Sequence, residues 1–351
     1  MSEFLVKLAN GKSFSANGQN SLLDAALAAG LNLEHGCRTG RCGQCKTRVL
    51  QGRTQRIATD LCLSDAERAQ GWVLTCADAA GTDVALDSED LAELEGITAR
   101  TLPARIHELQ PLSEDVLRVV LRLPPRSGLR YLAGQYVNII GAGGLRRSYS
   151  MANAPLGDDR LEFFIRRVPG GEMSDYWFQR AALGDLLRID GPRGSFYLRQ
   201  PAGRDLILLA TGTGIAPIKA LLETLACARA QPRSVRLLWG GRTESDLFWK
   251  PAFADLPLVY TPVLSRAGSD WSGARGHVQQ VLLQGGPDLA LTDVYACGSS
   301  AMLASAQAAL LAAGLPPKRF HADAFVSSAG AAGPGAKREQ SPQPQAETTT
   351  P

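Results

Sequence analysis

The 351-residue sequence has no long hydrophobic run and no recognisable export signal. Its longest apolar stretches, such as DLILLA at 205–210, are far shorter than the ~20 residues that a membrane-spanning helix needs. The first residues, MSEFLVKLANGK, lack the apolar core of a signal peptide. These absences predict a cytoplasmic protein that does not cross a membrane.

The sequence also has little excess of charge of either sign. Its 37 basic and 34 acidic residues give a formal net charge of +3. Proteins dedicated to nucleic acids or to membrane surfaces carry a stronger imbalance. We therefore expect neither nucleic acid nor membrane as a partner, and any electrostatic function must be local.

The chain also lacks an even number of cysteines, because it has seven. Without an export signal, an odd number argues against a disulfide framework and for metal ligation or free thiols. Cys37, Cys42 and Cys45 have the spacing C-x4-C-x2-C, and Cys76 follows 31 positions after Cys45. This is the spacing of a plant-type 2Fe-2S cluster, so these four thiols are the predicted metal ligands.

The loop around these cysteines fits a cluster better than the alternatives. Gly36, Gly40 and Gly43 punctuate it, and glycines allow backbone N–H groups to turn towards the sulfurs. Structural zinc sites usually use short paired knuckles, whereas the fourth cysteine here stands alone. A Rieske centre needs two histidine ligands, and only His35 lies near. We interpret His35 as a surface loop residue and Cys227 as a small core residue.

Three patterns follow one another along the chain. A strand, an Asn10-Gly11 turn and a helix capped by Ser21 precede the cysteine loop. Apolar residues alternate at period two from 117 to 123, which predicts antiparallel strands, and after Gly203 a strand–glycine loop–helix–strand order predicts a parallel sheet. The sequence thus predicts a multidomain α+β and α/β protein, with domains at 1–92, 101–202 and 203–327, a linker at 93–100 and a disordered tail at 328–351.

Two further segments indicate nucleotide binding. TGTGIAP at 211–217 lies between an apolar strand and a helix, where glycines let a pyrophosphate approach the positive helix N-terminus. RRSYS at 146–150 combines an anion-binding guanidinium, a stacking ring and a hydroxyl, and GGEMS at 170–174 could hold phosphate through backbone amides. Each alone is also compatible with an ordinary turn; their order along the chain favours a flavin and a dinucleotide site.

Together these segments resemble the ferredoxin–NAD(P)H reductase family, in the branch with an N-terminal plant-type ferredoxin domain. The resemblance covers residues 1 to 327 and is carried by the cysteine loop, RRSYS, GGEMS, GTGIAP, YACGSSAM at 295–302 and DAFV at 323–326. It implies a β-grasp 2Fe-2S ferredoxin domain, an antiparallel β-barrel FAD domain and a parallel α/β NAD(P)H domain, in that order.

The resemblance also implies roles for individual residues at the reaction centre. Tyr149 would pack on the isoalloxazine, Ser150 would lie near its reactive nitrogen, and Phe325 would cover its other face. Cys297 would lie beside the nicotinamide; without the resemblance, it and Phe325 would be interpreted as core packing. The remaining cofactor-binding residues would be Arg147, Gly171, Met173 and Ser174 for FAD, and Gly212, Thr213, Gly214, Ile215, Ala216, Pro217 and Gly298 for the nicotinamide coenzyme.

By the same resemblance, the protein is an NAD(P)H-dependent oxidoreductase that passes electrons through FAD and the 2Fe-2S cluster to a protein acceptor. LPPRSGLRYLAGQY at 123–136 and RRSYSMANAP at 146–155 resemble the subfamily that serves CDP-6-deoxyhexulose 3-dehydrase. The reductase component of an aromatic-ring oxygenase or a monooxygenase is the alternative. A non-catalytic redox sensor is the alternative of another class.

Coenzyme choice and docking are also predicted. No carboxylate ends the strand VRLLWG, and Arg242 could accept the 2′-phosphate of NADPH, but we expect NADH with Arg242 merely solvated. Residues 35–59 contain six basic residues and no acidic one, so we expect the acceptor to dock on a basic face near the cluster. The six are Arg38, Arg41, Lys46, Arg48, Arg53 and Arg56. A solvated loop with incidental charge is the alternative. We also expect a monomer.

Overall fold

The structure is a computed structural model that describes residues 3–229 and 231–326. The tail predicted at 328–351 lies outside the described residues. Within the described ranges, no helix has both the length and the apolar character that crossing a membrane requires.

The N-terminal part is a mixed sheet with a short helix packed on one face. The hairpin predicted around Asn10-Gly11 is confirmed, and strand β1 also pairs in parallel with β7 in the sheet order β2-β1-β7-β3-β5. Helix α1 starts where the Ser21 side chain accepts a hydrogen bond from the Asp24 amide, and it buries Leu22 and Leu23 against the sheet. The elements are β1 Glu3–Leu8, β2 Ser13–Asn17, α1 Leu22–Ala28, β3 Lys46–Gln51, β4 Thr54–Arg56, α2 Asp65–Ala69, β5 Trp72–Leu74, β6 Asp78–Ala80 and β7 Val84–Leu86.

The middle part is an antiparallel six-stranded sheet in the order β11-β10-β13-β8-β9-β12. The period-two pattern at 117–123 forms a strand whose apolar side chains enter one core, together with Phe163 and Ile165 of its neighbour. The elements are β8 Arg100–Ser113, β9 Val116–Arg122, β10 Tyr136–Ile140, β11 Arg146–Ser150, β12 Arg160–Arg166, α3 Glu172–Asp175, a π-helical turn Tyr176–Arg180 and β13 Leu186–Arg193.

The C-terminal part is a parallel six-stranded sheet in the order β17-β16-β15-β14-β18-β19. Its order reverses between β14 and β18, and this switch point is where doubly wound sheets open a ligand crevice. The elements are β14 Asp205–Thr211, α4 Ile215–Cys227, β15 Ser234–Gly241, β16 Leu258–Leu264, β17 Ala274–Arg275, α5 Val278–Gln284, β18 Thr292–Ser299, α6 Ser300–Ala312 and β19 Phe320–Phe325.

The predicted fold class is confirmed by this succession of a mixed, an antiparallel and a parallel sheet. Between the first two lies a 3-10 helix at Ala92–Leu94, and β8 begins at Arg100. The domain boundaries themselves, including the linker at 93–100, stay predictions.

Two minor expectations were wrong. His35 is not a surface residue: it is buried, and its backbone and ring hydrogen-bond to Gly194 and Ser195, about 160 positions away. Such a long-range contact leaves no local sequence signal. Cys227 is exposed rather than in the core, because it is the last residue of α4.

Candidate functional site

The structure brings the four predicted cluster cysteines together as two pairs. The Cys37 amide donates to the Cys42 sulfur at 3.3 Å, and the Cys45 and Cys76 sulfurs lie 3.2 Å apart. In the described part of the chain, no three His, Cys, Asp or Glu side chains converge as they would on a single metal ion. A 2Fe-2S cluster takes two protein ligands on each iron, so the paired arrangement fits it.

The backbone of the loop is also shaped for sulfurs. The Thr39 amide donates to the Cys37 sulfur at 3.4 Å, as expected for thiolates held by N–H groups. Gly40 has φ of +69°, and a Cβ there would lie 1.9 Å from the Thr59 carbonyl oxygen. A Cβ at Gly36 would lie 3.2 Å from the Cys42 sulfur. The glycines predicted from the sequence therefore permit the loop to close around the thiols.

Electrostatics within each pair favours one ionised sulfur. The hydrogen bond between the two thiols lowers the pKa of Cys37 to about 5 and raises the pKa of Cys42 above its ordinary value. In the second pair the same kind of contact lowers the pKa of Cys76 and raises that of Cys45. Because the thiolate is the metal-binding form, the lowered pKa values of Cys37 and Cys76 favour metal binding by these two sulfurs.

The RRSYS and GGEMS segments meet in one aromatic cluster. Trp177, just after GGEMS, donates its indole N–H to the Tyr149 hydroxyl at 3.2 Å, and the two rings are perpendicular at 6.4 Å. Met173 is buried in the same core and lies against Gly141. Tyr149 itself is half-buried, which leaves part of its ring accessible to a stacking partner. Trp177 was not singled out from the sequence.

The predicted phosphate ligands of the flavin lie at the start of α3. Gly171 precedes this helix without any capping side chain, and the Ser174 hydroxyl accepts a hydrogen bond from the Val168 amide at 2.7 Å. Arg147 donates one hydrogen bond, to the Arg146 carbonyl, which leaves guanidinium donors for an anion. These donors fit a pyrophosphate; their roles stay predictions.

A buried trio of side chains joins the middle and C-terminal sheets. The Ser150 hydroxyl lies 3.4 Å from the Asp323 carboxylate, and the Cys297 sulfur lies 4.0 Å from the same oxygen. Burial raises the pKa of Asp323 to about 6 and holds the pKa of Cys297 well above its usual value. Predicted residues Ser150 and Cys297 therefore share one centre, in which the thiol stays protonated.

Asp323 is the residue of this centre that sequence reasoning missed. It is the first residue of the DAFV segment, so a signal existed, but nothing local indicates that its carboxylate points at Ser150. Phe325, two residues later, is 37% exposed and lines a cleft. Its environment is therefore not the simple core packing considered as an alternative.

The cleft of about 660 Å³ lies at the carboxyl ends of β14, β15 and β18. Predicted residues Gly212, Thr213 and Gly298 line it, next to the 3-10 turn Gly212–Gly214 that opens α4. A Cβ at Gly214 would lie 2.3 Å from the Cys297 carbonyl oxygen, so only glycine lets the loop pack on β18. Ile215, Ala216 and Pro217 are buried in the first turn of α4, behind the cleft. Because the cleft lies at the switch point of the parallel sheet, its position fits a dinucleotide-binding site.

The sequence suggested that Arg242 is merely solvated, but in the structure it forms an ion pair. Its guanidinium pairs with Asp246 at 3.2 Å, and Arg166 of the middle sheet pairs with the same carboxylate at 2.9 Å. Burial opposes ionisation of Asp246, but the hydrogen bonds from the two arginines hold its pKa below its ordinary value. Asp246 was not predicted, because its position depends on the fold of the loop after β15.

A buried lysine ties the two nucleotide-binding parts together. Lys219 of α4 donates to the Ala152 carbonyl and to Glu162, both at 3.0 Å, and to Glu223 at 2.5 Å. Ala152 lies two residues after Ser150, and α4 starts at the cleft loop. The ion cluster therefore fixes β12, which carries Glu162, and the residues just after β11 relative to the cleft.

Family comparisons match three consecutive segments. Residues 7–79 match the 2Fe-2S iron-sulfur cluster binding domain, residues 103–197 the oxidoreductase FAD-binding domain and residues 208–308 the oxidoreductase NAD-binding domain. The cofactors are therefore a 2Fe-2S cluster, FAD and NADH, as predicted. The residues described above are compatible with all three.

Whole-chain relatives share all three parts. The CDP-6-deoxy-L-threo-D-glycero-4-hexulose-3-dehydrase reductase of Yersinia pestis is 38% identical over 323 residues, 91% of this chain and 97% of that protein. Reductase component 1 of the terephthalate 1,2-dioxygenase of a Comamonas species is 34% identical, over 89% and 94% of the two chains. The crystal structure of the Amycolatopsis cytochrome P450 reductase GcoB has a TM-score of 0.72 and 31% identity, covering 92% of this chain and 98% of that one.

Proposed function

We propose a physiological electron acceptor for this chain, which belongs to the ferredoxin–NAD(P)H reductase family with an N-terminal plant-type 2Fe-2S domain. It is an NAD(P)H-dependent oxidoreductase that delivers electrons to a partner enzyme. When bound, FAD would supply the chemistry that links the two-electron hydride donor NADH to a one-electron 2Fe-2S cluster. We propose that the partner is a CDP-6-deoxyhexulose 3-dehydrase.

The observation that carries this proposal is full-length similarity to a reductase named for that acceptor. The identity of 38% spans 91% of this chain, against 34% over 89% for the dioxygenase component. Because all these relatives share the three domains, the domain order itself does not select the acceptor. We propose further that the protein acts as a cytoplasmic monomer, since one chain carries all three cofactor sites.

Acceptor identity is tested by anaerobic electron delivery. The NADH-reduced protein is mixed with a purified CDP-6-deoxyhexulose 3-dehydrase carrying its substrate, or with the oxygenase component of a terephthalate dioxygenase. We expect the cluster to be reoxidised faster by the dehydrase. Equal or faster reoxidation by the oxygenase would overturn this proposal, and failure of NADH to bleach the flavin would favour the redox sensor.

We propose that the acceptor docks on an exit face formed by Arg41, Arg56, Ile57 and Leu61. Leu61 is 68% exposed and its amide donates to the Gly40 carbonyl in the cysteine loop; Ile57 is 41% exposed and bonds to Ala77, next to Cys76. Two exposed apolar residues, each bonded beside a predicted ligand segment and close in sequence to an arginine, are compatible with a protein contact. Of the six basic residues predicted for this face, Arg38 pairs with Asp24 and Lys46 pairs with Glu67.

Charge reversal on the exit face should slow delivery to the acceptor. We expect Arg41→Glu with Arg56→Glu to lower that rate about tenfold at low ionic strength, because steering by charge is lost. The control Lys7→Glu with Arg105→Glu makes the same change of charge on β1 and β8. NADH reduction of the flavin should stay unchanged in both. A delivery rate that is independent of salt in the parent would leave the face without a docking role.

Coenzyme preference should follow the Arg242–Asp246 pair. We expect the parent to have a higher kcat/KM for NADH than for NADPH, because the guanidinium that could bind a 2′-phosphate is engaged by a carboxylate. Asp246→Asn weakens that pair and should raise kcat/KM for NADPH about tenfold. One charge-assisted hydrogen bond usually changes an equilibrium constant by about this factor. A parent that prefers NADPH would contradict this interpretation.

A further inference from the structure

The cysteine loop is bound directly to the middle sheet through buried hydrogen bonds. The His35 amide donates to the Ser195 hydroxyl at 2.8 Å, and the Ser195 amide donates back to the His35 carbonyl at 2.9 Å. The Gly194 amide donates to the Nε2 of His35 at 3.3 Å, while Nδ1 faces the Leu33 carbonyl at 2.9 Å. His35, two residues before Cys37, is therefore held by the two residues that directly follow β13.

Tyr136 adds a contact that reaches one residue closer to the thiols. Its hydroxyl donates to the Gly36 carbonyl at 2.9 Å, across 100 positions of sequence, and its side chain is buried. Gly194 makes room for the ring: its φ is +87°, and a Cβ there would lie 3.0 Å from Cδ1 and Cε1 of Tyr136. The tyrosine is thus seated in a position that the backbone of the sheet is built to accept.

The other side of Tyr136 is the predicted flavin centre. Tyr136 of β10 is the direct partner of Ser150 in β11, and directly opposed residues of antiparallel strands present their side chains on the same face. Ser150 in turn contacts Asp323 at 3.4 Å. One residue therefore lies beside Ser150 and, through its hydroxyl, holds the carbonyl that immediately precedes Cys37.

We propose that Tyr136 is a positioning residue for the transfer of electrons from the flavin to the cluster, and that with His35 and Ser195 it latches the cysteine loop against the flavin-binding strand. In each transfer the reduced flavin loses one electron and the oxidised cluster gains it. Tyr136 keeps its proton and is neither oxidised nor reduced. The proposal rests on the electron relay and not on the identity of the acceptor.

The test compares two buried tyrosine hydroxyls of the middle part of the chain. Tyr136→Phe removes the latch hydrogen bond. Tyr131→Phe removes a buried hydroxyl that bonds to the Ala154 carbonyl at 3.1 Å, within the middle part of the chain, and serves as the matched control. The holoproteins are reduced anaerobically by NADH with no acceptor present, and flavin and cluster absorbance are followed separately. Hydrogen exchange is measured on peptides that contain 33–37 and 193–196.

We expect Tyr136→Phe to slow cluster reduction about tenfold, the change that loss of one hydrogen bond makes in an equilibrium, and to speed exchange in both peptides. Flavin reduction by NADH and FAD content should match the parent, and Tyr131→Phe should leave cluster reduction and both peptides unchanged. Equal effects of the two substitutions, or unchanged cluster reduction in Tyr136→Phe, would overturn the proposal. If Tyr136→Phe does not fold, Ser195→Ala removes another latch contact and carries the same expectations.

Discussion

Replacing Cys76 with serine should abolish the iron–sulfur spectrum and reduce electron delivery to the acceptor to background, while FAD remains bound. The Cys76 sulfur lies 3.2 Å from that of Cys45. In the predicted ligand set, its loss would remove one of the two thiolates that hold one iron. The cysteines pack with Leu74 and Ala77, whereas the flavin-side residues belong to a separate core around Phe163. NADH should therefore still reduce a small dye through the flavin.

Cys62→Ser is the matched control for this experiment. Cys62 packs in the same small core as Cys45 and Cys76, but it lies outside the predicted ligand set. It should keep both the cluster spectrum and acceptor reduction. Loss of dye reduction in Cys76→Ser would contradict the order of the relay, and loss of the cluster in Cys62→Ser would contradict the ligand set.

Lys219→Met should destabilise the protein by about 3 kcal/mol, the lower end of the cost of breaking a buried ion pair. The lysine joins Glu162 and Glu223 in a cluster that is nearly closed to solvent. We expect the lower end of this destabilisation because Glu162 keeps its ion pair with Arg118, at 2.9 Å. Urea unfolding measures the loss of stability. NADH-dependent flavin reduction should fall as well, because α4 at the cleft loses its hydrogen bonds to Ala152 and Glu162.

Two companion variants separate charge burial from general damage. Lys219→Met with Glu223→Gln removes an uncompensated carboxylate but keeps an oxygen for the Ala154 amide, which bonds Glu223 at 2.8 Å. We expect it to recover much of the lost stability. Arg233→Met breaks an exposed pair with Asp205, the first residue of β14, and should change stability little. Equal unfolding free energies for Lys219→Met and the parent would contradict the structural role.

The sequence predicts most of the fold because its local patterns agree with the tertiary arrangement. The Ser21 cap, the alternation at 117–123 and the strand–glycine–helix order at 205–227 all form as predicted. The four cysteines predicted as ligands are also brought together in two pairs, as expected for a loop whose spacing suits two irons.

What the sequence did not predict depends on contacts between distant segments. His35 is buried by a loop at 194–195, and Asp323 becomes a partner of Ser150 only when β19 joins the sheet beside β18. Lys219 looks like one polar residue on an apolar helix until the middle sheet covers it. No local period or spacing carries such information, because each depends on how one sheet packs against another.

Electrons from NADH should reach the cluster only by way of the flavin. Anaerobic rapid mixing of the holoprotein with NADH, followed at flavin and cluster absorbance bands, tests this most directly. We expect the flavin to bleach first, the cluster to be reduced afterwards at a separate rate, and Cys76→Ser to show the first change alone. Reduction of the cluster before the flavin, or without any flavin bleaching, would contradict this order of electron transfer.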